Sequence, residues 1–215
     1  MKEELLGSGT AKNTGSGPGT DILLYGNSDL GFYGEISKEN LPSTSLLCNT
    51  VNLTAGRLTE DVAPTGQGKF NWLKVIRNNV IFFILMASAR TSWSGLNIDS
   101  ADLLNAQCIY GEKTITFDDW LFKIRVLTGA DVNPVPQPYN DHTGGEWNDI
   151  MYKVADGTWA NYQAGDLGND GYYSVCQETF SGTSTLISRG GDAKGTQMID
   201  PTYLRWRPVL ELVTS

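Results

Sequence analysis

The closing stretch Arg205-Trp206-Arg207-Pro208-Val209-Leu210-Glu211-Leu212-Val213 is where the fold turns. It is apolar at Trp206, Val209, Leu210 and Leu212 and ends two residues before Ser215, so it closes a sheet only if earlier strands wait for it. Working back along the chain, Tyr173-Ser174-Val175-Cys176-Gln177-Glu178-Thr179 and Glu146-Trp147-Asn148-Asp149-Ile150-Met151-Tyr152 are the next ordered pieces. The second carries Trp147, Ile150 and Met151 at i, i+3 and i+4, with Asn148 and Asp149 on the other side, which predicts a short amphipathic helix with a face to bury. Between that helix and the final strand the chain is rich in Gly, Asp, Asn, Ser and Tyr and poor in aliphatics. A long irregular region held between a helix and a closing strand is where function usually lives.

The strands that would wait lie upstream. Trp72-Leu73-Lys74-Val75-Ile76-Arg77 and Val80-Ile81-Phe82-Phe83-Ile84-Leu85-Met86 are β-prone runs separated by Asn78-Asn79, two residues that tolerate the positive φ of a tight hairpin turn. Lys113 to Phe117 and Trp120 to Leu127 repeat the pattern around Asp118-Asp119, with Trp120, Phe122, Ile124 and Val126 alternating against Leu121, Lys123, Arg125 and Leu127. Between the hairpins, Asp99 or Ser100 is placed to cap a short helix through Ala101, Leu103, Leu104 and Gln107. Nothing alternates strand and helix as a doubly wound sheet does, so an α+β class is expected.

Ahead of this domain, Gly7 to Thr20 is too poor in apolar residues to fold alone and is expected to be a flexible or partner-ordered arm. Asp21 to Pro42 carries Leu23, Leu24, Tyr25, Leu30, Phe32 and Tyr33 among glycines. It reads either as an irregular strand packed on the main domain or as a docking segment for another subunit. The expected division is an arm and docking segment over 1–42 and the domain over 43–215.

A formal charge of −8 with only 16 scattered Lys and Arg argues against nucleic acid. Cys48, Cys108 and Cys176 show neither a disulfide framework nor zinc spacing and read as buried thiols. Met1 to Leu6 runs straight into glycine without an apolar leader, so Asn52-Leu53-Thr54 is read as a chance sequon. The most apolar run, Val80 to Ala87, is too short to span a membrane.

Catalytic constellations are thin. His142 with Cys176 makes a dyad only if the fold joins them, and a surface-loop histidine is the simpler reading. Asp118-Asp119 and Glu146 with Asp149 are candidate acid pairs for glycoside hydrolysis, but read more simply as turn formers and a solvated helix face. Asp166, Asn169, Asp170, Asp192 and Asp200 are oxygen ligands without calcium-loop spacing. No catalytic residue, metal or cofactor is expected. The aromatic and amide residues of Gly157 to Thr179 do stand out, because flat rings and amides suit sugars or protein surfaces. Trp159, Asn161, Tyr162, Tyr172 and Tyr173 are the candidate ligand-binding residues, and at least one of these aromatics is expected in the core.

Trp72-Leu73-Lys74, Tyr110-Gly111-Glu112-Lys113-Thr114, Phe122 through Ala130, Glu146 through Tyr152, Val175 through Thr179 and Trp206 through Leu212 occur in an order that resembles a family of tailed-bacteriophage virion proteins. These typically follow an arm with a segment similar to Gly31-Phe32-Tyr33-Gly34-Glu35. A Trp-bearing helix after a Pro-rich loop, Arg189-Gly190-Gly191 and a closing Arg-Pro strand are also similar to the C-type-lectin-like fold shared by formylglycine-generating enzymes and phage tropism proteins. That resemblance implies a small twisted sheet with neighbouring termini and a long loop region displaying the binding surface. The enzymes' copper-binding cysteine pair would need two cysteines in the last third, where only Cys176 stands, so their oxidase chemistry is not implied.

The resemblances imply a virion protein that is not an enzyme. Leu23, Leu24, Tyr25, Phe32 and Tyr33 would dock the arm to other virion proteins, and the outward domain would contact a host-surface glycan or protein. A homo-oligomer is expected, with neither nucleic-acid binding nor membrane insertion. A head, collar or tail decoration protein and a cell-surface glycan hydrolase are the alternatives.

Overall fold

A computed structural model describes residues 15–51, 57–58, 71–91, 113–136, 144–160, 162–163, 165–167, 173–182, 186–190, 195–196 and 204–214. In chain order the strands are β1 (Tyr25–Gly26), β2 (Leu30–Ile36), β3 (Arg57–Leu58), β4 (Trp72–Arg77), β5 (Val80–Leu85), β6 (Arg90–Thr91), β7 (Thr114–Phe117), β8 (Trp120–Arg125), β9 (Tyr173–Thr179), β10 (Leu186–Gly190), β11 (Gly195–Thr196), β12 (Leu204–Trp206) and β13 (Val209–Leu212). Among the described residues a 3-10 turn at Lys38–Asn40 and two short helices join them. Helix α1 is Thr44–Thr50, and α2 is π-wound over Trp147–Tyr152 before an α turn at Lys153–Ala155. The class is α+β and mostly sheet.

Turn chemistry sets the hairpins. Asn78 and Asn79 hold φ of 52° and 63°, and Asp118 and Asp119 hold 46° and 65°, which is the two-residue turn that matches strand twist. The closing strand β13 lies between the two hairpins, antiparallel to both, with Leu210 opposite Phe83 of β5 and Ile124 of β8. Among the described residues this gives a seven-stranded sheet ordered β1-β2-β4-β5-β13-β8-β7.

Both faces of that sheet are covered, which is why β5 is apolar without alternation. Leu73, Val75, Phe82, Ile84 and Val209 pack with Trp147, Ile150, Met151 and Val154 of α2. On the opposite face Trp72, Phe83, Leu85, Phe122 and Leu210 pack with Leu47 and Cys48 of α1 and with Val175, Leu186 and Trp206. Those last three belong to a second sheet, six-stranded among the described residues and ordered β11-β10-β9-β12-β6-β3.

The chain passes from that sheet to the first within Arg207-Pro208. Arg207 is fully buried there, donating to Ser174 Oγ at 2.9 Å, Leu85 O at 2.6 Å, Leu167 O at 2.5 Å and the carbonyl of Met86. One guanidinium thus fixes the crossing between sheets.

Of the two readings of Asp21 to Pro42, residues 30–36 take the packed strand: β2 pairs with β4 from Leu30–Arg77 to Ile36–Trp72. Three expectations change. Residues 15–20, expected as a flexible or partner-ordered arm, lie on the sheet, with Gly17 against Phe83 and Leu212. The irregular region holds β9 to β12, because Ser174, Val175, Leu186, Ile187, Ser188 and Arg189 are all buried and so give no alternating pattern to read. Asn148, expected on a solvated side, is buried with its Nδ2 donating to Gly144 O at 2.6 Å. Helix α1 was not expected; Ser43 caps it, its Oγ accepting from Leu46 N at 3.2 Å. The helix expected over Ala101 to Gln107 lies outside the described residues.

Candidate functional site

The docking and ligand-binding residues expected at separate places meet at one edge of the main sheet. Strand β1 is its outermost strand, turned back onto β2 at Gly26, which holds φ 81°, with Asn27 Oδ1 accepting from Asp29 N at 2.8 Å and Leu30 N at 3.1 Å. This seats the Tyr25 ring on Phe32, centroids 6.4 Å apart and 14° between planes. Phe32 stacks in turn on Trp159, at 6.4 Å and 5°, and Lys153 Nζ lies 5.1 Å from the Trp159 centroid. The result is a column of rings from the sheet edge to the end of α2.

Burial sorts the candidates within the column. Phe32 and Trp159 are core residues, 2% and 7% exposed, so neither is a contact surface. Tyr25 is 45% exposed, and beside it Leu24 is 55% and Ile22 70% exposed. Leu23 is half-buried, its Cδ1 against Gly31. Tyr33 is half-buried with Lys74 Nζ 5.1 Å from its ring. Tyr162 donates its hydroxyl to Glu35 Oε2 at 3.2 Å, and Asn71 Nδ2 donates to Glu35 Oε1 at 2.5 Å. Burial and then Glu35 push the Tyr162 pKa upward, so it stays a donor. Tyr173 packs instead into the cluster on the opposite face of the sheet, apart from this site. Asn161 and Tyr172 lie outside the described residues.

The N-terminal strap reaches this edge over the other face. Lys74 is fully buried, and its ammonium donates to Thr20 O at 2.7 Å, Ser16 Oγ at 2.8 Å and Gly17 O at 3.4 Å, with Asp21 Oδ1 3.5 Å away. Gly17, at φ 85°, leaves room for a close approach: a Cβ there would stand 3.0 Å from Phe83 Cζ and 3.2 Å from Leu212 Cδ2. Burial lowers the Lys74 pKa while Asp21 holds it up.

The carboxylates weighed for catalysis sit elsewhere, in a closed hub between the sheets. Glu146 grips Arg125 through both oxygens at 2.7 Å and accepts from Thr128 N at 3.0 Å; Arg125 also donates to Glu211 Oε2 at 2.8 Å. Burial alone would lower the Arg125 pKa, but Glu146 and then Glu211 carry it upward. Glu178 accepts from Gly129 N at 2.8 Å and is raised to about 7, chiefly by burial. Glu146 and Glu178 are 6% and 4% exposed, which shuts substrate out.

The remaining candidates are structural. Cys176 is fully buried, and burial followed by Glu178 lifts its pKa well above the usual thiol value, so it is inert. Asp118 and Asp119 form the hairpin turn, and Asp149 pairs with Arg77 at 2.9 Å. His142, Asn169, Asp170, Asp192, Asp200, Cys108 and Asn52 lie outside the described residues. Among the described residues no group of three or more His, Cys, Asp or Glu is placed to hold a metal, and no helix is long and apolar enough to cross a membrane. A pocket of about 440 Å³ lies between Leu41, Leu46, Trp72, Leu85 and Phe117.

Sequence reasoning missed Lys74, Arg189 and Arg207. The available signal was a lone cation inside an apolar run, as in Leu73-Lys74-Val75. No protein-family model, curated protein or solved structure matches the chain.

Proposed function

We propose that the chain is a structural protein of a tailed-bacteriophage virion, with a C-type-lectin-like domain seated on the particle through the β1 edge and facing outward. The observation that carries this reading is the row Ile22, Leu24 and Tyr25: three exposed apolar side chains leading into and beginning the outermost strand β1, backed by buried rings that hold Tyr25 in place. An edge strand presents backbone hydrogen-bonding groups to a partner, and an apolar row beside it gains from being covered. The lectin-like fold is supported by the closing Arg-Pro strand, the π-wound Trp147 helix and the presence of β2 and β13 in one sheet. The loop around Tyr162, at the other end of the ring column, is the surface offered to a host glycan or protein. Copies of the domain form a homo-oligomer that follows the symmetry of their position.

Gold-labelled antibody imaging of intact particles tests the reading. Label at the tail tip or fibres is the expected result. Label over head or collar would make the protein a decoration, and particles without label would end the virion reading. The closed environments of Glu146 and Glu178 argue against glycan hydrolysis, which needs two acids facing a substrate.

A further inference from the structure

The loop that links the sheets is held by a carboxyl group with almost no access to water. Gly129 donates its N–H to Glu178 Oε2 at 2.8 Å, while its carbonyl accepts from Arg189 Nε at 2.9 Å and from Arg189 Nη2. Further along, Val135 N donates to Thr179 O at 2.8 Å, Ser181 N to Val135 O at 2.7 Å, and Thr179 N to Asn133 Oδ1 at 3.1 Å. Residues 128–135 therefore lie along β9 with the Glu178 side chain closed beneath them. Among the described residues, the groups that face that carboxyl are the Gly129 amide from the loop, its own backbone N–H, Arg189 from β10, Glu146 at the N-cap of α2 and Cys176 from its own strand.

We propose that Glu178 is a proton-operated latch. As a neutral acid it closes the 128–135 loop onto β9, and on giving its proton to solvent it drives the loop to open so that the carboxylate reaches water.

The direction follows from where the proton binds more tightly. Burial, with Glu146 adding repulsion, outweighs the hydrogen bonds from the Gly129 and Glu178 backbone N–H groups and the nearby Arg189, and holds closed Glu178 at about 7 against an ordinary 4.5. Opening restores ordinary affinity. Closure is therefore most favoured below about pH 4.5, and that advantage is lost as pH rises through about 7. The opening constant should rise on the order of fiftyfold between pH 5 and pH 8.

The test is amide exchange by mass spectrometry over residues 127–136, comparing the intact protein with Glu178→Gln at the same pH, so that intrinsic exchange chemistry cancels. Gln still accepts from Gly129 but does not ionise. The expected ratio of wild-type to variant exchange is about fourfold at pH 5 and on the order of three-hundredfold at pH 8; a flat ratio would overturn the latch. If the variant does not fold, the Gly129 amide resonance of the wild-type protein decides. A titration midpoint near 7 supports the proposal, and one near 4.5 removes it.

Discussion

Around Gly129 the molecule buries its charges; along β1 it exposes its apolar side chains. Arg125, Glu146, Arg189 and Arg207 are each at most 6% exposed, whereas Ile22, Leu24 and Tyr25 are at least 45% exposed. Neither arrangement follows from hydrophobicity alone. Buried ions lose hydration, and paired ions in the interior are weak evidence of added stability. What the hub gains is geometry: Arg125, Arg189 and Arg207 each bond backbone or carboxylate groups that belong to different elements. The edge residues bridge no elements in this way. The comparison separates charges that serve the scaffold from apolar groups left for contact.

The largest test strikes the hub. Glu146→Ala leaves the buried Arg125 without its two-oxygen partner and Thr128 N without its acceptor, and should cost about 4 kcal/mol in urea unfolding. A loss below about 1 kcal/mol would place the pair among the surface ion pairs and erase the contrast. Gly129→Ala should come next. Its Cβ would stand 2.8 Å from Ile187 Cδ1 and 2.9 Å from Cys176 Cβ and Sγ, an overpacking costing about 2–3 kcal/mol by the same measurement. If Gly129→Ala is neutral, the loop is not clamped between β9 and β10.

How much of this was legible depends on the kind of signal. Asn78-Asn79 and Asp118-Asp119 announced their hairpins because a positive-φ turn accepts few residue types. The closing strand was legible from its own apolar residues, and its place between β5 and β8 followed once two hairpins needed joining. The second sheet was hidden because Ser188, Arg189 and Ser174 look like loop residues while lying fully inside. Phe32 and Tyr25 looked alike in sequence. One residue is core and the other surface because β2 pairs with β4 across a bulge between Phe32 and Gly34, a register that no local pattern encodes. Trp159, a candidate both for ligand contact and for the core, is a core residue, and its partner ring is 127 positions upstream.

The strap sits between the two regions in character, a buried charge holding a surface segment. Lys74→Met removes the ammonium that Ser16, Gly17 and Thr20 share, and should cost about 1–2 kcal/mol while opening residues 15–21 to limited proteolysis. The sheet beneath should stay intact, because Met fills most of the same space. Strap residues that stay protected in the variant would show that Gly17 packing on Phe83 and Leu212 is sufficient without the cation.

The smallest effect on stability should accompany the largest effect on assembly. Replacing Ile22, Leu24 and Tyr25 together by serine removes mostly exposed apolar area at Ile22 and Leu24, each change staying within about 0.5 kcal/mol in denaturant unfolding. Loss of the Tyr25 stack on Phe32 should add about 1 kcal/mol. The same variant should be lost from purified particles, measured by immunoblot against the wild-type protein. Incorporation at the wild-type level would take the docking role away from β1. Loss of cooperative folding would show instead that Tyr25 supports Phe32 and Trp159 as part of the core, and the edge would then join the hub as scaffold. Intact folding with failed assembly is the one outcome in which the two regions divide the work as proposed.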